Sequence, residues 1–518
     1  MDILFTSTYM LIPASYHAQK KKLLFYQEDE LVFDLTVALD YDQPDYVFPL
    51  NVARFRGKTM KLVCEPEAEL HFEQTEHPVL DYSGKYRPWA HFTARRGWIN
   101  DPNGLTFHDG KYLMYFQHNP VATTWENMHW GSAESEDLIH WTEHDDVLFP
   151  DRDGTIFSGS AIVDTDNRAG FGKDAVLYFY TCAGSTSNAS KDKPFTQRLA
   201  YSTDGGRTLR KYEHPLIEHI VGANRDPKVI RYEPDDSYIL ALYLDEHDFA
   251  LFKSEDLLHW REIQRLVLPD DAECPDFYPL PVDGSPENVK WVFSAASDRY
   301  LIGTFDGTHF EPESEQLRLH YGNGSYAAQS WSGTPGRRIR TAFAGIVIPG
   351  MPFGGCLNVP QEMTLKTIRG QVRLCASPVE EIQRLYANTT ELADVAVAAD
   401  RPFRHTIGSK ACDLKVSISS DKAWRMSLFG LELQYDPAEE TLTCGDKSAP
   451  VRKEDDTVTI RVVYDAVYAE IFAESGSVFM GMTYIQDSVL NSLVISSEEA
   501  RIVSLQVSEL NPFFTQEK

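Results

Sequence analysis

The commonest hydrophobic pattern along the chain is short and strand-like. Runs of β-branched and aromatic residues at 113–116, 176–180, 238–244, 291–293 and 457–463 are mostly bounded by Gly, Pro, Asp or Asn clusters, as expected of strands joined by turns. Sustained 3.6-residue periodicity is scarce. Its best stretch is 378–386, where Val379, Ile382 and Leu385 fall at helical spacing. The expectation is a mostly-β protein with one short helical segment.

One turn pattern recurs. Ser135-Glu136-Asp137-Leu138-Ile139-His140-Trp141 returns as Ser254-Glu255-Asp256-Leu257-Leu258-His259-Trp260, and looser copies stand at Ser202-Thr203-Asp204-Gly205-Gly206-Arg207-Thr208 and Phe305-Asp306-Gly307-Thr308. A spacing of roughly 50–70 residues suits a propeller blade of four strands with a long loop. Each copy reads as a hairpin turn, and in the first pair the Trp opens the outer strand. Between the turns, at a similar period, lie Asn100-Asp101, Phe157-Ser158, Arg225-Asp226, Glu273 and Tyr326. A propeller sets the innermost strand of every blade around one channel, so these distant residues are expected to converge.

The texture changes at both ends. Residues 1–84 alternate over 31–39 and 58–65 and stop at Asp81-Tyr82-Ser83-Gly84, which reads as a small N-terminal β domain. Residues 85–376 form the expected propeller, 377–389 a helical linker, and 390–518 a β-sandwich with alternation at 457–465 and 468–472.

Composition narrows the function. The 518 residues carry a formal net charge of -28, which repels nucleic acid and anionic membranes and leaves a neutral substrate compatible. Aromatic residues make up 12%, suiting both β cores and stacking on sugar faces. No run approaches a membrane span. The seven cysteines are scattered without a CxxC pair, no ligand spacing marks a metal site, and no Gly-rich loop suits a phosphate. Neither a metal nor a cofactor is therefore expected. Scattered thiols and an N-terminus without leader character point to a cytoplasmic location. The sequence leaves the oligomeric state open.

Three acidic residues stand in Pro-containing settings that fix backbone direction: Asp101 in Trp98-Ile99-Asn100-Asp101-Pro102-Asn103-Gly104, Asp226 in Arg225-Asp226-Pro227, and Glu273 in Glu273-Cys274-Pro275-Asp276. Any one of 77 acidic residues is a surface charge by default, and Asp-Pro alone marks a turn. Together they could serve glycoside hydrolysis. A retaining enzyme uses one carboxylate as nucleophile and a second as acid/base, about 5–5.5 Å apart.

With their flanks these segments resemble glycoside hydrolase family 32, which includes invertases, levanases and inulinases. The resemblance runs from Tyr86-Arg87-Pro88 to about Glu380. It includes Tyr115-Phe116-Gln117-His118-Asn119-Pro120, Met128-His129-Trp130-Gly131, Phe157-Ser158-Gly159-Ser160-Ala161 and Tyr326-Ala327-Ala328-Gln329-Ser330-Trp331. It continues more weakly at Asp465 and Ala469-Glu470-Ile471-Phe472. The resemblance implies an all-β fold, a five-bladed propeller followed by a sandwich. It implies Asp101 as nucleophile, Glu273 as general acid/base and Asp226 as transition-state stabiliser holding fructose hydroxyls. Arg225 would fix the carboxylates, Asn100, Gln117, Trp125 and Ser158 would surround the sugar, and Phe157 would wall it.

Charge arithmetic adds an expectation. Arg225 pairs with a carboxylate, and Glu273, which must hold a proton until the leaving group takes it, should escape that pairing and feel Asp101 instead. Cys274 is a candidate donor to the acid/base region. The chain departs from levanase-like members at His320, before Tyr321-Gly322, and at Thr341-Ala342-Phe343-Ala344-Gly345, positions expected to shape the pocket rim. The resulting reading is a retaining β-fructosidase acting on fructo-oligosaccharides, levan, inulin or sucrose. A fructosyltransferase on the same fold and a catalytically silent fructan-binding protein remain alternatives.

Overall fold

The computed structural model describes residues 1–80, 82–486 and 491–514. Five antiparallel meanders follow one another from Gly97 to Pro378. Blade I comprises Gly97–His108, Lys111–Asn119, His129–Ser135 and Thr142–Glu143; blade II comprises Thr155–Asp164, Ala175–Ala183, Phe195–Ser202 and Arg210–Lys211. Blade III comprises Arg225–Tyr232, Ser237–Asp245, Asp248–Ser254 and Arg261–Val267. Blade IV comprises Asp276–Pro281, Val289–Ser294, Arg299–Phe305 and Phe310–Pro312; blade V comprises Tyr326–Ser330, Ile339–Val347, Gln361–Ile368 and Gln371–Pro378.

The ring closes through Phe353–Leu357. This strand pairs antiparallel with Ile339–Val347 of blade V and parallel with Gly97–His108 of blade I. Gly355 makes the closure sterically feasible: its φ is +75°, and a Cβ there would meet the Ile99 carbonyl oxygen at 2.1 Å. Buried polar groups lace the inner strands together. The Gly159 N–H donates to Asn103 Oδ1 at 3.0 Å, Ser160 Oγ to the Pro227 carbonyl at 2.8 Å, Lys228 Nζ to the Ser330 carbonyl at 2.6 Å, and the Ser330 N–H to Asp276 Oδ2 at 2.7 Å.

The repeated turn pattern is a repeated structure. Asp137 Oδ1 accepts the Ile139 and His140 N–H groups at 3.1 and 2.8 Å, and Asp256 Oδ1 accepts those of Leu258 and His259 at 3.0 and 2.8 Å. Leu138 and Leu257 share the same left-handed backbone, φ 66° and 68°. Local side-chain capping of this kind makes the turn readable from sequence.

The expected helix over the linker is shorter and tighter than its periodicity indicates. Glu380–Leu385 form a 3-10 helix that buries Ile382 and Leu385, and the strand Tyr386–Ala398 begins at once. That strand opens a sandwich of two six-stranded sheets around a core containing Trp424, Leu433, Ile460 and Ile495. The sandwich is joined to the propeller by buried charge. Asp465 accepts the Ala90 N–H at 2.7 Å and contacts His91 Nδ1 at 3.2 Å, while Glu470 contacts His91 Nε2 at 3.1 Å and accepts from Val359 N–H and Gln361 Nε2.

The N-terminal residues form two small sheets. One contains Asp2–Leu4, Thr59–Glu65, Lys21–Gln27 and Glu30–Val37; the other contains Tyr46–Asn51, Tyr9–Ala14 and Gln74–Thr75. They share an apolar core that includes Met10, Phe25, Phe33 and Phe55. Against the propeller, Asp34 accepts the Asn188 and Ala189 N–H groups at 3.0 and 2.8 Å, and the Arg54 guanidinium lies over both Phe33 and Phe149. Asp81, the first residue of the expected break after these sheets, lies outside the described residues.

Candidate active site

The inner strands of the blades share a local irregularity. The pairing register slips between Ile99 and Pro102 in blade I, Ile156 and Gly159 in blade II, Arg225 and Lys228 in blade III, and Tyr326 and Gln329 in blade V. Each slip is a bulge, which re-aims side chains that a regular strand would send into the sheet. The re-aimed positions are Asn100-Asp101, Phe157-Ser158, Asp226 and Ala327-Ala328. In blade IV the equivalent turn stands just before Asp276–Pro281. Asp226, Glu273 and Cys274 adopt left-handed backbone, φ 65°, 61° and 41°, a conformation that costs non-glycine residues energy.

These residues line one cavity of about 420 Å³. All nine sequence candidates reach it: Asn100, Asp101, Gln117, Trp125, Phe157, Ser158, Arg225, Asp226 and Glu273. Trp98, Phe195, Ala223, Tyr326 and Phe343 complete the wall.

Asp101 is held on both oxygens. Ser158 Oγ donates to Oδ2 at 2.5 Å and Asn100 Nδ2 to Oδ1 at 3.1 Å; Trp98 Nε1 in turn donates to Asn100 Oδ1 at 3.0 Å. Burial raises the Asp101 carboxyl above its ordinary range and Glu273 adds to the rise, while the Ser158 and Asn100 donors oppose it. Asp226 is buried deeper. Its N–H donates to Thr181 Oγ1 at 2.9 Å, fixing the bulge, and its Oδ2 accepts the Cys274 N–H at 3.1 Å. Burial pushes its carboxyl up to about 7; Arg225 opposes this, and Asp101 and Glu273 add to it.

Glu273 does not escape Arg225. The Arg225 Nη2 hydrogen bonds directly to Glu273 Oε1, while Arg225 Nε stands 3.7 Å from Asp226 Oδ2. The cause is placement: Arg225 is anchored to the Ala223 carbonyl at 2.6 Å and lies over the Tyr243 ring, so its fork spans the gap between blades III and IV. The expected isolation of the acid/base is therefore corrected to a shared guanidinium. Cys274 is also redirected. Its Sγ lies 3.4 Å from Asp226 Oδ2 and 3.6 Å from Asp101 Oδ2, bridging those two carboxylates instead of serving Glu273. Burial lifts the thiol well above its ordinary value, so it stays a neutral donor.

Tyr326 belongs to the site although only its motif, not its role, was legible. Its hydroxyl donates to Glu273 Oε2 at 2.8 Å, and burial and the Glu273 charge raise the phenol, keeping it protonated. Gln117 is buried, and its Nε2 has no hydrogen-bond partner among the described residues. An unpaired buried donor at a cavity wall is available to a ligand oxygen. Trp125 stands at the mouth, 53% exposed, edge-on to Phe157 at 6.1 Å. Of the two departures expected at the rim, Phe343 lines the cavity and meets Tyr326 edge-on at 6.1 Å. His320 is instead buried against Phe479 of the sandwich, so its effect lies at the seam.

Comparison with known proteins identifies the family and the fold. Residues 91–378 match the family model described as "Glycosyl hydrolases family 32 N-terminal domain". The chain is 30% identical over 455 residues to a levanase of Bacillus subtilis, covering 76% of this chain and 66% of the levanase, just short of two thirds. It is 28% identical over 461 residues to an extracellular exo-inulinase of Aspergillus niger, covering 76% of this chain and 83% of that enzyme. Among solved structures, an exo-inulinase from Aspergillus awamori superposes with a TM-score of 0.74 at 23% identity, covering 84% of this chain and 100% of its own. A β-fructofuranosidase from Schwanniomyces occidentalis complexed with fructosyl-erythritol gives 0.75 at 24%, with the same coverage.

Proposed function

Because the chain belongs to glycoside hydrolase family 32, we propose that it is a retaining β-fructosidase that removes terminal fructosyl units from fructo-oligosaccharides, fructans or sucrose. The convergence of Asp101, Asp226 and Glu273 in one cavity carries the reading. Asp101, held by Ser158 and Asn100, is the nucleophile that attacks the anomeric carbon. Glu273 gives its proton to the leaving oxygen. The carboxylate left behind is stabilised by Arg225 and Tyr326, and it then accepts a proton from the water that resolves the fructosyl-enzyme. Asp226 takes sugar hydroxyls, whose hydrogen bonds strengthen as positive charge grows on the ring. Gln117 supplies a further donor.

A cavity of about 420 Å³ with a bulky aromatic at its mouth suits a chain end, which supports exo action. The levanase and exo-inulinase relatives support fructan as substrate class. The seven cysteines are buried and free, which supports a reducing interior location and hence short imported oligosaccharides. The test is to incubate the protein with sucrose, inulin and levan and follow products over time. Free fructose appearing first from any of them is the expected result. Fructosylated acceptors as the main product would favour transfer, and binding without product would favour a silent binding protein.

A further inference from the structure

The loop bearing Trp125, residues 120–128, is held from two sides: by Asn119 of its own blade, which donates to the Thr124 carbonyl and accepts from Val121 N–H and Asn127 Nδ2, and by the N-terminal sheets. Val121 is fully buried and belongs to their apolar core. Thr123 Oγ1 hydrogen bonds with Tyr16 Oη at 2.9 Å, and that hydroxyl reaches the carbonyl of Met351, in the turn before Phe353–Leu357, at 2.9 Å. Lys20 Nζ pairs with Glu126 Oε2 at 2.7 Å. Asn127 meets the backbone of Thr36 in both directions, accepting its N–H and donating to its carbonyl, each at 2.8 Å. Asn127 is left-handed, φ 52°, which turns the chain so that the amide faces Thr36. Within 120–128, Trp125 alone is exposed.

The attachments flank Trp125 on both sides and leave its indole free to face the cavity. A large side chain on an unsupported loop would have to be ordered by the sugar, at an entropic cost subtracted from affinity. We propose that the N-terminal sheets are a clamp that presets Trp125 for the fructosyl end of the substrate, with Tyr16, Lys20 and Thr36 as positioning residues. The family model begins at residue 91, so the clamp lies outside the part of the chain that the model describes. The proposal rests on Trp125 being a wall of the fructose pocket. Its effect is on binding shared by ground and transition states, so it falls on KM and not on kcat.

The test uses the full chain with two variants, Tyr16→Phe/Lys20→Met, which touches only the N-terminal side, and Asn127→Gly, the glycine keeping the left-handed turn while removing both bonds to Thr36 together with that to Asn119. Each is expected to raise KM for a fructo-oligosaccharide about 3–10-fold with kcat within about twofold, the size of one or two lost hydrogen bonds. Amide exchange should quicken across 120–128 and stay unchanged in Lys21–Gln27. In a Trp125→Ala background the same substitutions should add nothing to KM. Unchanged KM and exchange in both variants, or a full additive effect without Trp125, would overturn the clamp. The wild-type control, which must release fructose, separates that outcome from a failure of the hydrolase reading.

Discussion

The cavity and the propeller–sandwich seam both bury carboxylates, and they treat them oppositely. At the seam, Asp465 and Glu470 flank one imidazole. Burial works against charging His91, but the two carboxylates outweigh it and raise the ring to about 9. Burial also works against Asp465, yet His91 and the N–H groups of Ala90 and Trp89 hold its carboxyl below the ordinary range. In the cavity, one guanidinium serves Asp226 and Glu273 while Asp101 has only the neutral donors Ser158 and Asn100, and burial leaves Asp101 and Asp226 raised. Counter-charge, more than depth, separates an acid that holds the fold together from one poised to react. The seam is satisfied; the cavity carries unresolved repulsion and left-handed backbone, the strain expected where function competes with stability.

The comparison breaks most visibly in kinetics. Glu273→Gln is expected to lower kcat by about 10²–10⁴-fold while substrate still binds, as measured by steady-state rates and calorimetric titration. The matching change at the seam should do the reverse. Asp465→Ala leaves the His91 ring and four backbone N–H groups, those of Trp89, Ala90, His91 and Ala466, without their acceptor and is expected to cost about 3–5 kcal/mol of stability in denaturant titration, with activity per folded molecule retained.

Asp226→Asn sharpens the contrast through pH. A carboxyl raised to about 7 in the fold contributes stability that is fully present below the unfolded value near 3.8 and lost as pH rises through about 7. The variant should therefore gain on the wild type between pH 4 and 7, reaching on the order of 2 kcal/mol at pH 8, with hydrolysis largely lost. His91 gives stability that is present below 6.5 and lost as pH rises through about 9, so Asp226→Asn should still weaken on the alkaline side. Tyr326→Phe is the smallest change. Loss of one donor to Glu273 should reduce kcat/KM about tenfold without a change in stability beyond about 1 kcal/mol.

Much of this was legible because the signals were local. Asp137 and Asp256 cap the same turn with the same neighbours, so the blade period stood out in the sequence. Asp101 and Glu273 lie in segments whose Pro and Gly content marks irregular backbone, and that irregularity is the bulge or turn that aims them inward. Asp465 and Glu470 also stood out, but only as resemblance, since their partner His91 is far away in the chain. What escaped notice depends on which side chain reaches which across blades. Arg225 could have served either neighbour, and only the anchoring at Ala223 and Tyr243 turns it to Glu273. The Tyr326 hydroxyl and the grip of Tyr16, Lys20 and Thr36 on 120–128 follow from how separate sheets pack, which no local pattern records. The linker's periodicity was real, but six residues confined between blade V and the sandwich settle into a 3-10 helix.

The most direct test is to catch the sugar on the enzyme. A Glu273→Gln variant given a fructoside whose leaving group needs no proton should accumulate the fructosyl-enzyme, because the water that resolves it lacks its base. Acid quenching and peptide mass analysis should then find one fructosyl unit on the peptide at Asp101. A fructosyl unit on Asp226, or continued turnover with no adduct at all, would contradict the account.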